Sequence, residues 1–125
     1  MNDTKIRVLI IDDEERFRQT TAAILTKQGF GVQAVGSGAE AIAEIKRADF
    51  DVVVLDLNMP DMNGHEAFYE IKNIKPDLAV LILTGHGTPE SAIEGLRDGI
   101  FDYLTKPCAI DLLARDPARA LPHGL

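Results

Sequence analysis

The chain has 125 residues and a formal net charge of −7, with 46% hydrophobic and 26% charged residues. This length allows one domain with one core, and the composition excludes a disordered chain. The apolar runs are too short to cross a bilayer, no secretory signal is evident, and the single cysteine fits a reducing cytosol. We therefore expect a cytoplasmic protein with no membrane contact. The negative charge disfavours phosphate contacts, so we also expect no direct nucleic-acid contact.

Strands and amphipathic helices alternate along the first half of the chain. The β-branched and leucine-rich run at 5–11 predicts a buried strand, and residues 14–28 predict a helix that a glycine ends. A short strand is predicted at 32–35. A Ser-Gly-Ala-Glu capping box opens a predicted helix over 37–47. The most hydrophobic run, at 51–57, is expected to be the central strand of a sheet.

The second half continues this alternation after a loop that contains Met-Pro-Asp. The predicted elements are a helix, a strand, a helix, a strand and the start of a fifth helix, over residues 64–74, 78–84, 88–98, 100–105 and 109–114. Pro117 interrupts the fifth helix, because proline removes a helical donor and clashes with the preceding turn. We therefore expect one domain over residues 1–114, followed at 115–125 by a tail, a linker start or a cloning remnant.

Five consecutive βα units predict an α/β fold, a doubly wound five-stranded parallel sheet with helices on both faces. Right-handed crossovers make 2-1-3-4-5 the leading strand order, which is flavodoxin-like. Ligands of such sheets bind outside the carboxyl ends of the strands, where the strand order reverses. In this order the reversal lies between the first and third strands.

Polar residues close four of the predicted strands. They are Asp12 and Asp13 after the first strand, Asp56 at the end of the third, Thr84 at the end of the fourth and Lys106 after the fifth. Three carboxylates in one crevice repel one another unless a cation neutralises them, and oxygen ligands beside a phosphate favour Mg²⁺. Each residue also has a simpler interpretation. Asp12 and Asp13 alone would suit a helix N-terminus, Asp56 and Thr84 would suit turns, and Lys106 would suit a solvated surface.

With these residues together, the chain resembles the receiver domains of bacterial two-component response regulators over about residues 5–114. The motifs that carry the resemblance are IIDDE at 10–14, VLDLNMPDMNG at 54–64, LTG at 83–85 and DYLTKP at 102–107. The resemblance implies that Asp56 is the phosphoacceptor. It also implies a Mg²⁺ site, in which Mn²⁺ can substitute, made by Asp12, Asp13, Asp56 and the backbone carbonyl of Asn58.

The resemblance further implies a conformational switch. Lys106 and Thr84 would contact the phosphoryl group, while Thr84 and Tyr103 would carry the change to the surface of the fourth helix and fifth strand. Such a domain catalyses only its own phosphoryl transfer and dephosphorylation, so it is a signalling domain and not an enzyme. The broken fifth helix departs from the family pattern at a surface that commonly forms dimers.

The implied partners are a sensor histidine kinase or phosphotransfer protein and a downstream output domain or partner protein. A phosphorylation-dependent dimer is a further expectation. We expect the domain to belong to a larger transcriptional or other regulator, the alternative being a stand-alone receiver. Three other classes fit the sequence less well. The intact set of acidic residues argues against an interaction module that works without phosphorylation. An aspartate-nucleophile phosphatase of the haloacid dehalogenase type needs an aspartate where Asn58 stands, and in a flavodoxin-like electron carrier the acidic loop after the first strand would repel the flavin phosphate.

Overall fold

The computed structural model describes residues 6–56, 64–84 and 102–105 of the chain. Five strands lie in these ranges, β1 to β5 in chain order, at Arg7–Ile11, Gly31–Val35, Val52–Asp56, Ala79–Thr84 and Asp102–Thr105. Three helices lie between them, α1 to α3, at Glu15–Lys27, Gly38–Arg47 and Gly64–Ile74. These bounds agree closely with the sequence predictions. The predicted helices at 88–98 and 109–114, the loop at 58–63 and the tail at 115–125 lie outside the described residues.

All the strands form one parallel sheet in the order β2-β1-β3-β4-β5, which confirms the predicted doubly wound topology. The order reverses between β1 and β3. In the register of these two strands, Val8 pairs with Val52 and Ile11 pairs with Leu55. The carboxyl ends of β1 and β3 therefore lie level with each other at the switch point.

Two apolar layers cover the two faces of the sheet, and the alternation of residues along each strand divides them. In β1, Leu9 and Ile11 join a cluster with buried residues of α2 and α3, while Val8 and Ile10 join a second cluster with α1. Because successive side chains of a strand point to opposite faces, a run of consecutive apolar residues is needed when both faces are buried. All five residues of β3 are buried, as expected for a central strand.

The helix boundaries have identifiable local causes. At the end of α1, Gly29 has φ of 101°, its N–H donates to Thr26, and the next N–H, of Phe30, donates to Leu25. This is a Schellman motif, in which glycine accepts the left-handed conformation without strain. At the start of α2, the Ser37 hydroxyl accepts the backbone N–H of Glu40 at 3.1 Å, as the predicted capping box requires.

The other half of that capping box differs in one detail. The Glu40 carboxylate accepts the N–H of Gly36, at 2.9 Å, and not the N–H of the cap residue itself. The interaction therefore extends one residue further back and fixes the short connection between β2 and α2.

Among the described residues, no helix is long and apolar enough to cross a membrane.

Candidate functional site

Three carboxylates meet at the carboxyl edge of β1 and β3. Asp56 is the last residue of β3, and Asp12 and Asp13 directly follow β1. The side chains of Asp12 and Asp56 are 0% and 3% exposed, whereas Asp13 is exposed. One carboxylate oxygen of each residue lies within 4.8 Å of the others. The structure thus brings together the three acidic residues that the sequence selected.

Period-two alternation explains why Asp12 and Asp56 face each other. Val8 and Ile10 in β1 and Val52 and Val54 in β3 belong to the same apolar cluster. Asp12 and Asp56 are the next residues with the same parity on the two neighbouring strands. They therefore continue the face that packs on α1, at the height where the apolar residues stop.

This arrangement fits a hard divalent cation. Carboxylate oxygens are the ligands that Mg²⁺ prefers, and Mg²⁺ commonly keeps several waters while one or two carboxylates hold it. Two buried carboxylates and one exposed carboxylate within 4.8 Å can hold such an ion on one side and leave its other side open to an anion. Three negative charges at this spacing also repel one another strongly unless a cation offsets them.

Hydrogen bonds fix Asp12 through its main chain and its side chain. The Asp12 N–H donates to the Val35 carbonyl at 3.1 Å, which extends the β1–β2 ladder. The Asp12 Oδ1 accepts the N–H of Glu14 at 2.9 Å, and the Arg18 guanidinium donates to the Asp12 carbonyl at 2.8 Å. The position of Asp12 is thus set by β2 and α1 as well as by its own strand.

These contacts also decide a point that the sequence left open. The N-cap of α1 is Glu14, and the first helical residue is Glu15. Asp12 accepts the N–H of the N-cap residue and is not the N-cap itself. The simpler interpretation, an aspartate that only starts the helix, therefore accounts for part of what Asp12 does and leaves its burial beside Asp56 unexplained.

Sequence reasoning missed Arg18. The signal that could have identified it is its location in the first turn of α1, where the helix dipole disfavours a cation unless a nearby acceptor compensates. The acceptor is the Asp12 carbonyl.

Of the other predicted site residues, Thr84 and Tyr103 lie in described strands, and their register gives their place in the sheet. Thr84 ends β4 one residue beyond Leu83, which pairs with Asp56, and Thr84 itself pairs with Thr105 at the end of β5. Tyr103 lies within β5, paired with Ile82. Thr84 is therefore at the same edge of the sheet as the carboxylates by backbone register. Asn58 and Lys106 lie outside the described residues, so their predicted roles stay predictions.

Comparisons with known proteins agree with this geometry. The sequence model of the response regulator receiver domain matches residues 8–116. The transcriptional regulatory protein ZraR of Escherichia coli strain K12 is 34% identical over 123 residues, which is 98% of this chain and 28% of ZraR. LuxO of Vibrio cholerae is 35% identical over 104 residues, 83% of this chain and 23% of that protein. The chain thus spans about a quarter of the length of the curated relatives it matches.

A solved structure extends the likeness to the fold. The chemotaxis response regulator CheY4 of Vibrio cholerae superposes with a TM-score of 0.83 at 32% identity, covering 94% of this chain and all of that one. The match to the receiver model favours the receiver interpretation over the phosphatase and the electron carrier that the sequence also suggested.

Proposed function

The chain belongs to the family of response regulator receiver domains of two-component systems, and we propose that it receives a phosphoryl group on Asp56. The observation that carries this proposal is the buried Asp56 carboxylate at the end of the central strand, within 4.8 Å of two further carboxylates. Of the three carboxylates, Asp56 is the one that lies within a strand, in the centre of the sheet, which suits a positioned nucleophile.

The proposed donor is a phosphohistidine on a sensor histidine kinase or a phosphotransfer protein. A carboxylate oxygen of Asp56 attacks phosphorus in line as the phosphorus–nitrogen bond breaks. The products are an acyl phosphate on Asp56 and a free histidine, whose nitrogen takes the electron pair of the broken bond. The domain would act in this way only on itself, which is a signalling role and not that of an enzyme with turnover.

Asp12, Asp13, Asp56 and the backbone carbonyl of Asn58 are the proposed ligands of Mg²⁺, and Mn²⁺ would satisfy the same oxygen donors. When bound, the ion supplies positive charge that offsets the charge of the phosphoryl group. The hydrogen bonds at Asp12 keep its carboxylate beside Asp56 before the ion arrives. Less reorganisation is then needed when the donor docks.

Lys106 and Thr84 are the proposed contacts to the transferred phosphoryl group. The register supports this for Thr84, which ends β4 beside the carboxylate edge. In the proposed switch, Thr84 moves toward the new dianion and Tyr103 follows, which changes the surface of β5 and of the helix predicted at 88–98. Such a change is a population shift between two packings of the same chain.

The wider context is proposed from the relatives. Because the chain matches only a quarter of ZraR and LuxO, we propose that it works with an output domain or partner protein, in the cytoplasm. We propose no direct nucleic-acid contact for this domain, because its net charge of −7 disfavours contacts with phosphates. A dimer that forms on phosphorylation is part of the same proposal, as is a domain boundary near residue 114.

Mass spectrometry of the intact protein tests the phosphoacceptor. With a small acyl phosphate donor and Mg²⁺, the wild-type protein should gain one phosphoryl group, and a metal chelator should prevent the gain. Asp56→Asn should not be labelled. Asp51→Asn is the matched control, because Asp51 is an exposed aspartate directly before the opposite end of the same strand. Labelling of Asp56→Asn to the wild-type level would show that another residue is the acceptor.

A further inference from the structure

Arg18 connects the acidic edge to the rest of the fold in a way that no part of the proposed phosphoryl transfer requires. Its Nη1 donates to the carbonyl oxygen of Asp12 at 2.8 Å, in a partly buried contact between residues six apart in sequence. A hydrogen bond from an ionised donor is shorter and stronger than one between neutral groups. The contact therefore restrains the main chain at the residue whose carboxylate meets Asp56.

Gly36 makes the space in which this guanidinium lies. A Cβ added at Gly36 would be 2.8 Å from Arg18 Nη1 and 3.3 Å from Cζ. Positive φ occurs at Gly29 in the described chain and not at Gly36, so the backbone at Gly36 does not itself require glycine. A side chain at this position would instead meet the Arg18 guanidinium.

The loop that contains Gly36 is held firmly from both sides. The Gly36 N–H donates to Glu40 at 2.9 Å, and the preceding residue, Val35, accepts the N–H of Asp12. The Arg18 guanidinium thus lies between the loop after β1 and the loop after β2, with a hydrogen bond to the first and within 2.8 Å of the position that a Cβ at Gly36 would take in the second.

We propose that Arg18 is a positioning residue that sets the affinity of the acidic site for Mg²⁺ by holding Asp12 in place. The inference rests on the proposed function, because it takes the three carboxylates to be the metal site. Groups that orient a ligand from behind commonly change metal affinity by about 10–100-fold when they are removed. Gly36 contributes to the same positioning of Asp12, because a larger residue there would displace the Arg18 guanidinium.

The charge of Arg18 and its positioning effect act in opposite directions on Mg²⁺ binding. A guanidinium near the site repels a divalent cation, so loss of that charge alone would tighten binding. Loss of the hydrogen bond frees the Asp12 main chain, so loss of positioning would weaken binding. The sign of the change in Kd therefore separates the two effects.

Calorimetric titration of the metal-free domain with Mg²⁺ is the test, with the free energy of unfolding in urea measured for each variant without metal. We expect Arg18→Gln to raise the Kd about tenfold. Arg18→Lys should fall between Arg18→Gln and the wild type, because lysine can offer one donor but not the planar guanidinium. Arg16→Gln, an exposed arginine on the same helix, is the charge-matched control and should leave the Kd within about twofold.

Gly36→Ala tests the same idea without changing any charge. The Cβ would meet the far end of a flexible side chain and not the backbone, so we expect little change in unfolding free energy but a raised Kd, by less than in Arg18→Gln. A purely structural role of Arg18 would lower the stability of Arg18→Gln and leave Mg²⁺ binding by the folded protein unchanged, which would overturn the inference. A Kd equal to or below the wild-type value in both Arg18→Gln and Gly36→Ala would overturn it as well. If the wild-type domain itself binds no Mg²⁺, the proposed function fails first.

Discussion

Asp56→Asn should stabilise the metal-free domain even though it removes the proposed phosphoacceptor. Two unit charges 4.8 Å apart repel by about 0.9 kcal/mol at the dielectric constant of water and about 3.5 kcal/mol at an effective constant of 20. Asp56 faces two such charges, so the repulsion that the substitution removes is about 2–7 kcal/mol. Asp13 is exposed and well screened, and asparagine loses part of the carboxylate hydrogen bonding, so we expect a net gain of about 2 kcal/mol.

Urea denaturation with a metal chelator measures this gain, and thermal unfolding should show a higher Tm by several degrees. The same variant should respond less to Mg²⁺. A cation at ten times its Kd stabilises the native wild-type protein by about 1.4 kcal/mol, and loss of one ligand reduces this effect. Asp77→Asn is the control, because it removes one negative charge from an exposed residue at the opposite end of the sheet.

Two outcomes would refute this reasoning. If Asp56→Asn is no more stable than the wild type without metal, the three carboxylates do not repel one another as their spacing implies. If Asp77→Asn stabilises the protein as much as Asp56→Asn does, the gain comes from the overall charge of −7 and not from the site.

Three further predictions concern the framework around the site. Thr21→Val should raise the unfolding free energy, measured by urea denaturation, by about 1 kcal/mol, because the Thr21 hydroxyl is buried and finds no hydrogen-bond partner among the described residues. A loss of stability would mean that the hydroxyl does form a hydrogen bond. Gly29→Ala should cost about 1–2 kcal/mol in the same assay, because φ is 101° and an added Cβ meets no atom within 4 Å, so the cost is one of backbone conformation alone; an unchanged midpoint would show that the turn relaxes freely. The Lys75 ammonium donates a hydrogen bond to Asp49, and this bond and the positive charge of Lys75 lower the pKa of Asp49 below 3.8. The stabilising contribution of this exposed carboxylate is therefore present above pH 3.8 and is lost as pH falls through the lower, folded-state pKa. The difference in unfolding free energy between the wild type and Asp49→Asn should therefore vanish in strong acid, and a difference that does not depend on pH would contradict this assignment.

Much of the fold could be predicted because local patterns and tertiary structure agree. The apolar runs marked every described strand, and Ser37 and Gly29 marked the start of α2 and the end of α1. Side chains that break the apolar pattern were harder to place. Thr21 is buried in α1 although its side chain is polar, since packing on the sheet decides which side of a helix is covered.

The Arg18 contact could not be predicted for a different reason. It joins a side chain on α1 to a carbonyl before that helix, and the guanidinium lies close to a glycine in the loop between β2 and α2. The periodicity of apolar residues does not predict such a contact, because the three residues lie in three separate segments of the chain. The local signs are a cation in the first turn of α1 and a glycine after the end of β2, and they acquire meaning together only once β1 and β2 are known to be neighbours.

The site and the core depend on the same feature, the register of β1 and β3. Val8 and Ile10 pair with Val52 and Val54 on the face toward α1, and Asp12 and Asp56 continue that face. A slip of one residue between the strands would turn every side chain of one strand to the opposite layer, which the burial of both faces forbids. The apolar residues that stabilise the sheet therefore also hold the two buried carboxylates side by side. Since neither carboxylate contributes apolar burial, the core supplies the free energy that keeps these mutually repelling charges together when no cation is bound.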